Sequence, residues 1–111
     1  MDVEREVCEL LRPFGITEKY IGVSQLALAL QILLENPECI HAVQKRVYME
    51  IAKLFCVNWK TIERNIRTLS TVAMRTDPQY LELLAQYPLT RRPTAVQFIE
   101  IILRIIRSKL A

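Results

Sequence analysis

The chain has 111 residues, of which 51% are hydrophobic, 24% are charged and only two are glycine. This composition excludes a disordered chain, and we expect a single domain over residues 1–111 that needs neither a metal nor a disulfide to fold. The net charge of +3 is unevenly distributed, since residues 1–39 carry seven acids and three bases and residues 40–111 carry five acids and twelve bases. The positive potential that nucleic-acid binding requires therefore belongs to the second part of the chain.

No apolar run reaches the roughly 18 residues of a membrane span, and the acidic segment Asp2–Glu9 is unlike a signal peptide. We therefore expect a cytoplasmic protein with no membrane partner. Cys8, Cys39 and Cys56 are odd in number and widely spaced, so we expect small core residues in a reduced compartment. The lone His41 has no cysteine or carboxylate at ligand spacing, and we expect no metal and no other cofactor.

The hydrophobic spacing predicts an all-α fold. The segment Asp2–Phe14 reads as an amphipathic helix with acids near its positive end and a proline and a glycine at its close. After a connector, Val23–Glu35 is apolar nearly all round, which is typical of a central helix contacted from several sides. Asn36–Pro37 breaks the chain, and Glu38–Val47 leads into the next helix, either separately or as one helix with it.

The segment Tyr48–Arg67 has the pattern of a helix-turn-helix, which we expect within about residues 47–75. Its first helix has one apolar face, and its second repeats apolar residues at spacings of four and three. Ala52 is small enough to let the second helix approach closely, and Asn58 can cap that helix by accepting a hydrogen bond from a free amide. Such turns usually contain a glycine where this chain has Cys56, which implies a different turn or backbone strain.

If the apolar residues of the second helix point inward, the opposite face is cationic and hydrogen-bonding. Arginine can bind guanine through O6 and N7, and lysine or threonine can hold phosphate oxygens. An ordinary solvated helix face, with Glu63 paired to Arg67, accounts for the same residues. Because the small residue and the cap precede it, we prefer DNA recognition. The candidate residues are Asn58, Lys60, Thr61, Arg64, Arg67 and Thr68.

The second helix is predicted to end at Thr76–Pro78. A short helix follows over Gln79–Gln86. Its pattern predicts that Tyr80, Leu83 and Leu84 point inward.

The last part of the chain begins with the basic loop Leu89–Pro93, in which Arg91 and Arg92 are well placed to contact a DNA backbone. Thr94–Gln97 forms a capping box that opens the last helix. From Phe98 to Ile106 this helix carries more apolar residues than one face can use. It is either deeply buried or meets another protein, and we favour a partial dimer or partner surface.

Three separated motifs connect the chain to a known family. They are Val-Tyr-Met-Glu-Ile-Ala-Lys-Leu-Phe at 47–55, Ile-Glu-Arg-Asn-Ile-Arg at 62–67, and Arg-Pro-Thr at 92–94 leading to Phe-Ile at 98–99. The chain resembles the DNA-binding effector domain of the stage zero sporulation response regulators. That family has Tyr-Pro-Asp-Ile-Ala-Lys-Lys-Phe, Val-Glu-Arg-Ala-Ile-Arg and Lys-Pro-Thr followed by Glu-Phe-Ile, in the same order. The similarity runs over nearly the whole chain.

The resemblance implies a six-helix fold, binding to short promoter boxes as tandem homodimers, and control by a phosphorylated receiver domain. Since that domain is absent here, we expect either an effector domain cut from a longer protein or a free-standing relative that phosphorylation does not control. Carried over by position, Glu63 and Arg64 match residues expected to face bases in the major groove, and Arg67 matches one expected near the DNA backbone. Glu63 would then accept a hydrogen bond from a cytosine amine. Thr61 stands where the family has a DNA-contacting arginine, and Trp59 is new, which implies a different DNA specificity or weaker binding.

Two functions remain in competition. The leading one is a sequence-specific transcription regulator that places its recognition helix in the major groove of double-stranded DNA. The alternative is a helical protein-interaction module on the same scaffold without DNA binding, which Thr61 and the apolar last helix permit. An enzyme is not expected, because the sequence shows no nucleophile with a base, no carboxylate pair and no phosphate loop, and hence no catalytic residues.

Overall fold

The computed structural model of the chain describes residues 2–110. Over this range it contains six α-helices and no strand, which confirms the all-α prediction and the number of helices. The α-helices are α1 (Val3–Leu11), α2 (Ile21–Glu35), α3 (Met49–Phe55), α4 (Trp59–Thr76), α5 (Pro78–Ala85) and α6 (Ala95–Leu110). Short 3₁₀-helical turns cover Arg12–Phe14 and Pro37–Ala42, and a π-helical turn covers Gln44–Tyr48.

The first helix begins and ends as its sequence indicates. The Asp2 side chain accepts a hydrogen bond of 3.1 Å from the backbone amide of Arg5, as an N-cap residue does. Its apolar face is buried, and the chain closes with the 3₁₀ turn Arg12–Phe14. Gly15 follows at φ 76°, a left-handed conformation that glycine adopts without steric cost.

Helix α2 is the central element, packed against α1, α4 and α6. It starts at Ile21, slightly earlier than predicted, and its second residue, Gly22, lies against the backbone of α4. A Cβ atom on Gly22 would lie 2.6 Å from the carbonyl oxygen of Asn65. Further along α2, the buried Gln25 accepts a 3.0 Å hydrogen bond from the Asn65 side-chain amide. Close packing and one polar contact thus fix where α4 lies.

The segment between α2 and α3 is helical from Pro37 onward. A 3₁₀ turn begins at Pro37, and the π turn Gln44–Tyr48 runs directly into α3. The sequence left open whether this segment joins the first helix of the helix-turn-helix. In the structure it does, because the 3₁₀ turn, the π turn and α3 follow one another without a break. The wider π turn brings Val47 and Tyr48, two adjacent residues, into the core together.

In helix α5 the orientation of one leucine side chain differs from the prediction. Asp77 caps it by accepting a 3.0 Å hydrogen bond from the Tyr80 amide, and Leu81 and Ala85 are fully buried. Leu83 is 71% exposed, so its predicted inward orientation is wrong. At 100° per residue, Leu83 lies about 200° around the helix from Leu81 and therefore faces solvent.

The last helix is covered by the rest of the domain. The capping box is present, because the Thr94 hydroxyl accepts from the Gln97 amide and the Gln97 side chain accepts from the Thr94 amide. Helices α1, α2, α4 and α5 all pack against α6. The expected apolar partner surface on this helix is therefore wrong, since several neighbours already use its faces. Its buried residues are Ala95, Phe98, Ile99, Ile101, Ile102, Leu103 and Ile106.

The cysteines occupy three different environments. Cys39 is buried as expected and Cys8 is half-buried, but Cys56 is exposed, so its assignment to the core is wrong. His41 is exposed. Within residues 2–110 no three His, Cys, Asp or Glu side chains lie close enough to hold a metal ion. Nor is any helix in that range long and apolar enough to cross a membrane.

We predict that Gly22→Ala lowers the free energy of unfolding by about 2 kcal/mol, because the new methyl group would overlap the Asn65 carbonyl. Urea unfolding followed by circular dichroism measures this. Gly15→Ala is the control, since no atom lies within 4 Å of the new Cβ and only the positive φ is strained. A smaller loss at Gly22 than at Gly15 would contradict a close approach of α2 and α4.

Candidate DNA interface

The turn between α3 and α4 is closed by backbone hydrogen bonds. The amides of Cys56 and Val57 both donate to the carbonyl of Ala52. Ala52 is itself buried, as its small size suggested. Asn58 is extended, and its Oδ1 accepts a 2.9 Å hydrogen bond from the Lys60 amide, which confirms it as the N-cap of α4.

Cys56 adopts the left-handed conformation that glycine usually supplies at this position, with φ 55° and ψ 45°. The sequence left two explanations open, a different turn or backbone strain. The structure shows an ordinary helix C-terminus in which a residue with a Cβ atom carries the strain. Such a conformation costs an L-residue about 1–2 kcal/mol.

Helix α4 has one buried and one accessible face. The predicted inward residues Ile62, Ile66 and Leu69 are all fully buried. On the other side, Lys60, Arg64 and Thr68 are exposed, and Thr61, Glu63 and Arg67 are half-buried. Most of these accessible residues line one shallow depression together with Trp59. The structure therefore brings five of the predicted residues onto one surface, which Asn58 and Thr68 do not line. The five are Lys60, Thr61, Glu63, Arg64 and Arg67.

The charged residues of this surface are not equivalent. Arg67 Nη1 lies 3.2 Å from Glu63 Oε1, so the ion pair considered for an ordinary helix face is present. Such a pair stabilises a helix by only about 0.2–0.5 kcal/mol, so a phosphate can displace its partner easily. Lys60 and Arg64 form no ion pair within residues 2–110. These two cations are free to bind a ligand.

Two threonines of α4 donate hydrogen bonds to their own helix. Thr68 Oγ1 donates to the Arg64 carbonyl at 2.9 Å, and Thr71 Oγ1 donates to the Arg67 carbonyl at 3.1 Å. A hydroxyl has a single proton, so Thr68 would have to give up this bond to donate to a phosphate. Its predicted contact therefore requires a rotation of the side chain.

The basic loop is attached to α4. The buried Ser70 hydroxyl donates to the Pro93 carbonyl at 2.7 Å, and Arg92 Nη1 lies 3.5 Å from Thr71 Oγ1. Arg91 and Arg92 are both exposed. The loop thus extends the cationic surface of α4, and Ser70, a lone polar residue among the inward positions, was the sequence signal for this attachment.

Trp59, which lines this surface, forms an aromatic pair with the buried Tyr48 that the sequence analysis did not find. The Tyr48 and Trp59 rings are parallel within 1°, with centroids 6.4 Å apart. Tyr48 is 3% exposed. Burial, with a smaller contribution from the negative charge of Glu63, raises the pKa of Tyr48 to about 12. The signal available in the sequence was Trp59 itself, an aromatic residue directly after the cap of α4.

Comparison with known families agrees with this geometry. Residues 7–106 match the family described as sporulation initiation factor Spo0A C terminal. The chain belongs to this family. The Spo0A C-terminal family comprises DNA-binding effector domains that regulate transcription in sporulation, and it is not a known enzyme family. The chain is therefore a DNA-binding regulatory domain. A search of solved structures gave no significant match.

We predict that Cys56→Gly raises the free energy of unfolding by about 0.5–1 kcal/mol, because relief of the left-handed strain exceeds the extra flexibility of glycine in the unfolded chain. Urea unfolding under reducing conditions measures the change. Gln86→Gly is the matched control, since Gln86 has φ 64° at the end of α5. A gain for Gln86 without a gain for Cys56 would show that the turn is not strained by its side chain.

Proposed function

We propose that this domain is a sequence-specific transcription regulator that inserts the first turns of α4 into the major groove of double-stranded DNA. The observation that carries the proposal is the accessible face of α4. There Lys60 and Arg64 lie one turn apart, and neither forms an ion pair with any residue that the structure describes. The major groove admits an α-helix, and an unpaired arginine one turn inside it can reach guanine O6 and N7.

The length of the cationic surface indicates that different parts of α4 contact the bases and the DNA backbone. From Lys60 to Thr71 the helix rises about 16 Å at 1.5 Å per residue. This length exceeds the width of the major groove, about 12 Å, so the second half of α4 would lie over the sugar–phosphate backbone. Arg92, beside Thr71, then continues toward the same backbone.

Each candidate residue has a proposed role. Arg64 reads a guanine and Glu63 accepts from a cytosine amine, while Lys60 binds a phosphate. Arg67 leaves Glu63 for a phosphate when DNA arrives. The other proposed backbone contacts come from Asn58, Thr61, Thr68, Arg91 and Arg92.

The assembly is also part of the proposal. As the resemblance implies, we expect two copies to bind tandem sites as a homodimer in the cytoplasm, under the control of a receiver domain. Two observations in the sequence supported the alternative function, a protein-interaction module. One of them, the apolar last helix, no longer supports it, because the apolar residues of α6 are buried. Thr61 remains as the second, and DNA binding decides between the two functions.

The deciding experiment is fluorescence anisotropy of the chain against a duplex carrying the promoter box of the family and against a scrambled duplex, each at two salt concentrations. Binding that is selective for the box and weakened by salt supports the regulator, because counterions are released when phosphates are contacted. Salt-sensitive binding without selectivity contradicts sequence-specific reading of this box. No binding by the folded chain would favour the interaction module.

We predict that Arg64→Ala weakens binding to the selected box by about 1–3 kcal/mol and relaxes base preference at one position. Titrations against boxes with each base pair substituted in turn measure this. Arg5→Ala, on the exposed side of α1, is the control and should leave binding unchanged. An equal loss on all duplexes would mean that Arg64 contacts the backbone rather than a base.

We predict that Lys60→Ala weakens binding uniformly across sequences and makes the slope of log K against log salt shallower by about 1, because one phosphate contact is lost. Anisotropy at four or more salt concentrations measures the slope. Lys109→Ala, at the far end of α6, is the control with the same loss of charge. An unchanged slope for Lys60→Ala would remove this residue from the phosphate contacts.

A further inference from the structure

The Tyr48 hydroxyl has no hydrogen-bond partner among the described residues, although it is completely buried. Removing a hydroxyl from water without a compensating hydrogen bond destabilises the fold, and native structures rarely contain such a group. A phenylalanine would fill the same place without this cost. We therefore expect the hydroxyl to have a function other than stabilising the free domain.

Tyr48 lies directly under the proposed reading surface. It ends the π turn before α3, and π turns are frequent at functional sites. Its ring stacks on Trp59. Glu63 follows Trp59 by four residues and so projects from the same side of α4. The negative charge of Glu63 contributes to the raised pKa of Tyr48, which agrees with this placement.

We propose that the Tyr48 hydroxyl is a second partner for the Glu63 carboxylate, taken up when Arg67 moves to a DNA phosphate. In the free domain Glu63 is held by Arg67 at 3.2 Å. In the DNA complex Tyr48 donates to one carboxylate oxygen and orients the other toward a base. Tyr48 is then a positioning residue for base recognition, which rests on the proposed function above.

The exchange is favourable for three physical reasons. A carboxylate has about four acceptor positions, so Glu63 can accept from Tyr48 and from a cytosine amine together. Hydrogen bonds to a charged oxygen are stronger than neutral ones, and DNA excludes water from the groove, which strengthens them further. Finally, Arg67 gains a phosphate in place of a weak intrahelical pair. The unsatisfied hydroxyl of the free domain thus becomes satisfied only on binding.

The first test is Tyr48→Phe, which removes the hydroxyl and keeps the ring stack. We expect an unchanged or higher urea midpoint, because no bond is lost in the free domain. Titrations of Glu63→Gln first identify the base pair that Glu63 distinguishes. For Tyr48→Phe we then expect roughly tenfold less discrimination between the selected box and a box substituted at that base pair. Tyr80→Phe is the control, since the Tyr80 hydroxyl donates to the Leu10 carbonyl at 3.4 Å, on α1. It should leave discrimination unchanged.

The second test needs no DNA. In an Arg67→Ala background Glu63 is released, so the Tyr48 hydroxyl should already bind it in the free domain. Tyr48→Phe should then lower the urea midpoint, the opposite of its effect in the unmodified chain. A purely structural role for Tyr48 predicts the same effect in both backgrounds.

The outcomes separate the two proposals. A reversal in the Arg67→Ala background together with reduced discrimination supports the exchange. Selective binding by the unmodified chain with identical discrimination by Tyr48→Phe overturns the role of Tyr48 and leaves the proposed function intact. A failure of the unmodified chain to select any box overturns the proposed function, while the urea midpoints still support or refute the bond between Tyr48 and Glu63. The same midpoint shift in both backgrounds refutes that bond.

Discussion

The arrangement of this domain depends on the close approach of α2 and α4. At Gly22 there is no room for a side chain against the Asn65 carbonyl, and Gln25 adds a directional hydrogen bond to the Asn65 amide. Steric contact fixes the distance between the helices, and the hydrogen bond fixes the rotation of α4. Because α4 carries both the core contacts and the accessible cations, this one packing contact determines which side chains face outward.

Two groups that reduce stability lie at the helix-turn-helix. Cys56 takes a left-handed conformation at the turn, and the buried Tyr48 hydroxyl has no hydrogen-bond partner within residues 2–110. Helices α1, α4 and α5 begin at ordinary caps, which are Asp2, Asn58 and Asp77. Gln86, at the end of α5, also has a positive φ. Departures from ordinary rules are expected where a surface serves binding rather than folding. The location of Cys56 and Tyr48 agrees with the family membership and with the charge of the second part of the chain.

Local signals in the sequence predicted much of the fold and which residues of α4 are accessible. The caps Asn58 and Thr94 and the inward positions of α4 are encoded by neighbours within one or two turns, and all were confirmed. Leu83 was misplaced because α5 is only two turns long, and its three leucines give no unique apolar face. The apolar residues of α6 were misread because their number does not reveal how many neighbouring helices cover them.

The sequence by itself determined the six helices, the caps Asn58 and Thr94, the charge asymmetry and the family, since these depend on residue type and short spacing. Only the tertiary structure decided that Ser70 holds the basic loop against α4, that Tyr48 stacks on Trp59, and that Cys56 is exposed. The physical reason is that such contacts join residues distant along the chain. Their geometry is fixed by how α2, α4 and α6 pack together, and no local periodicity records that packing.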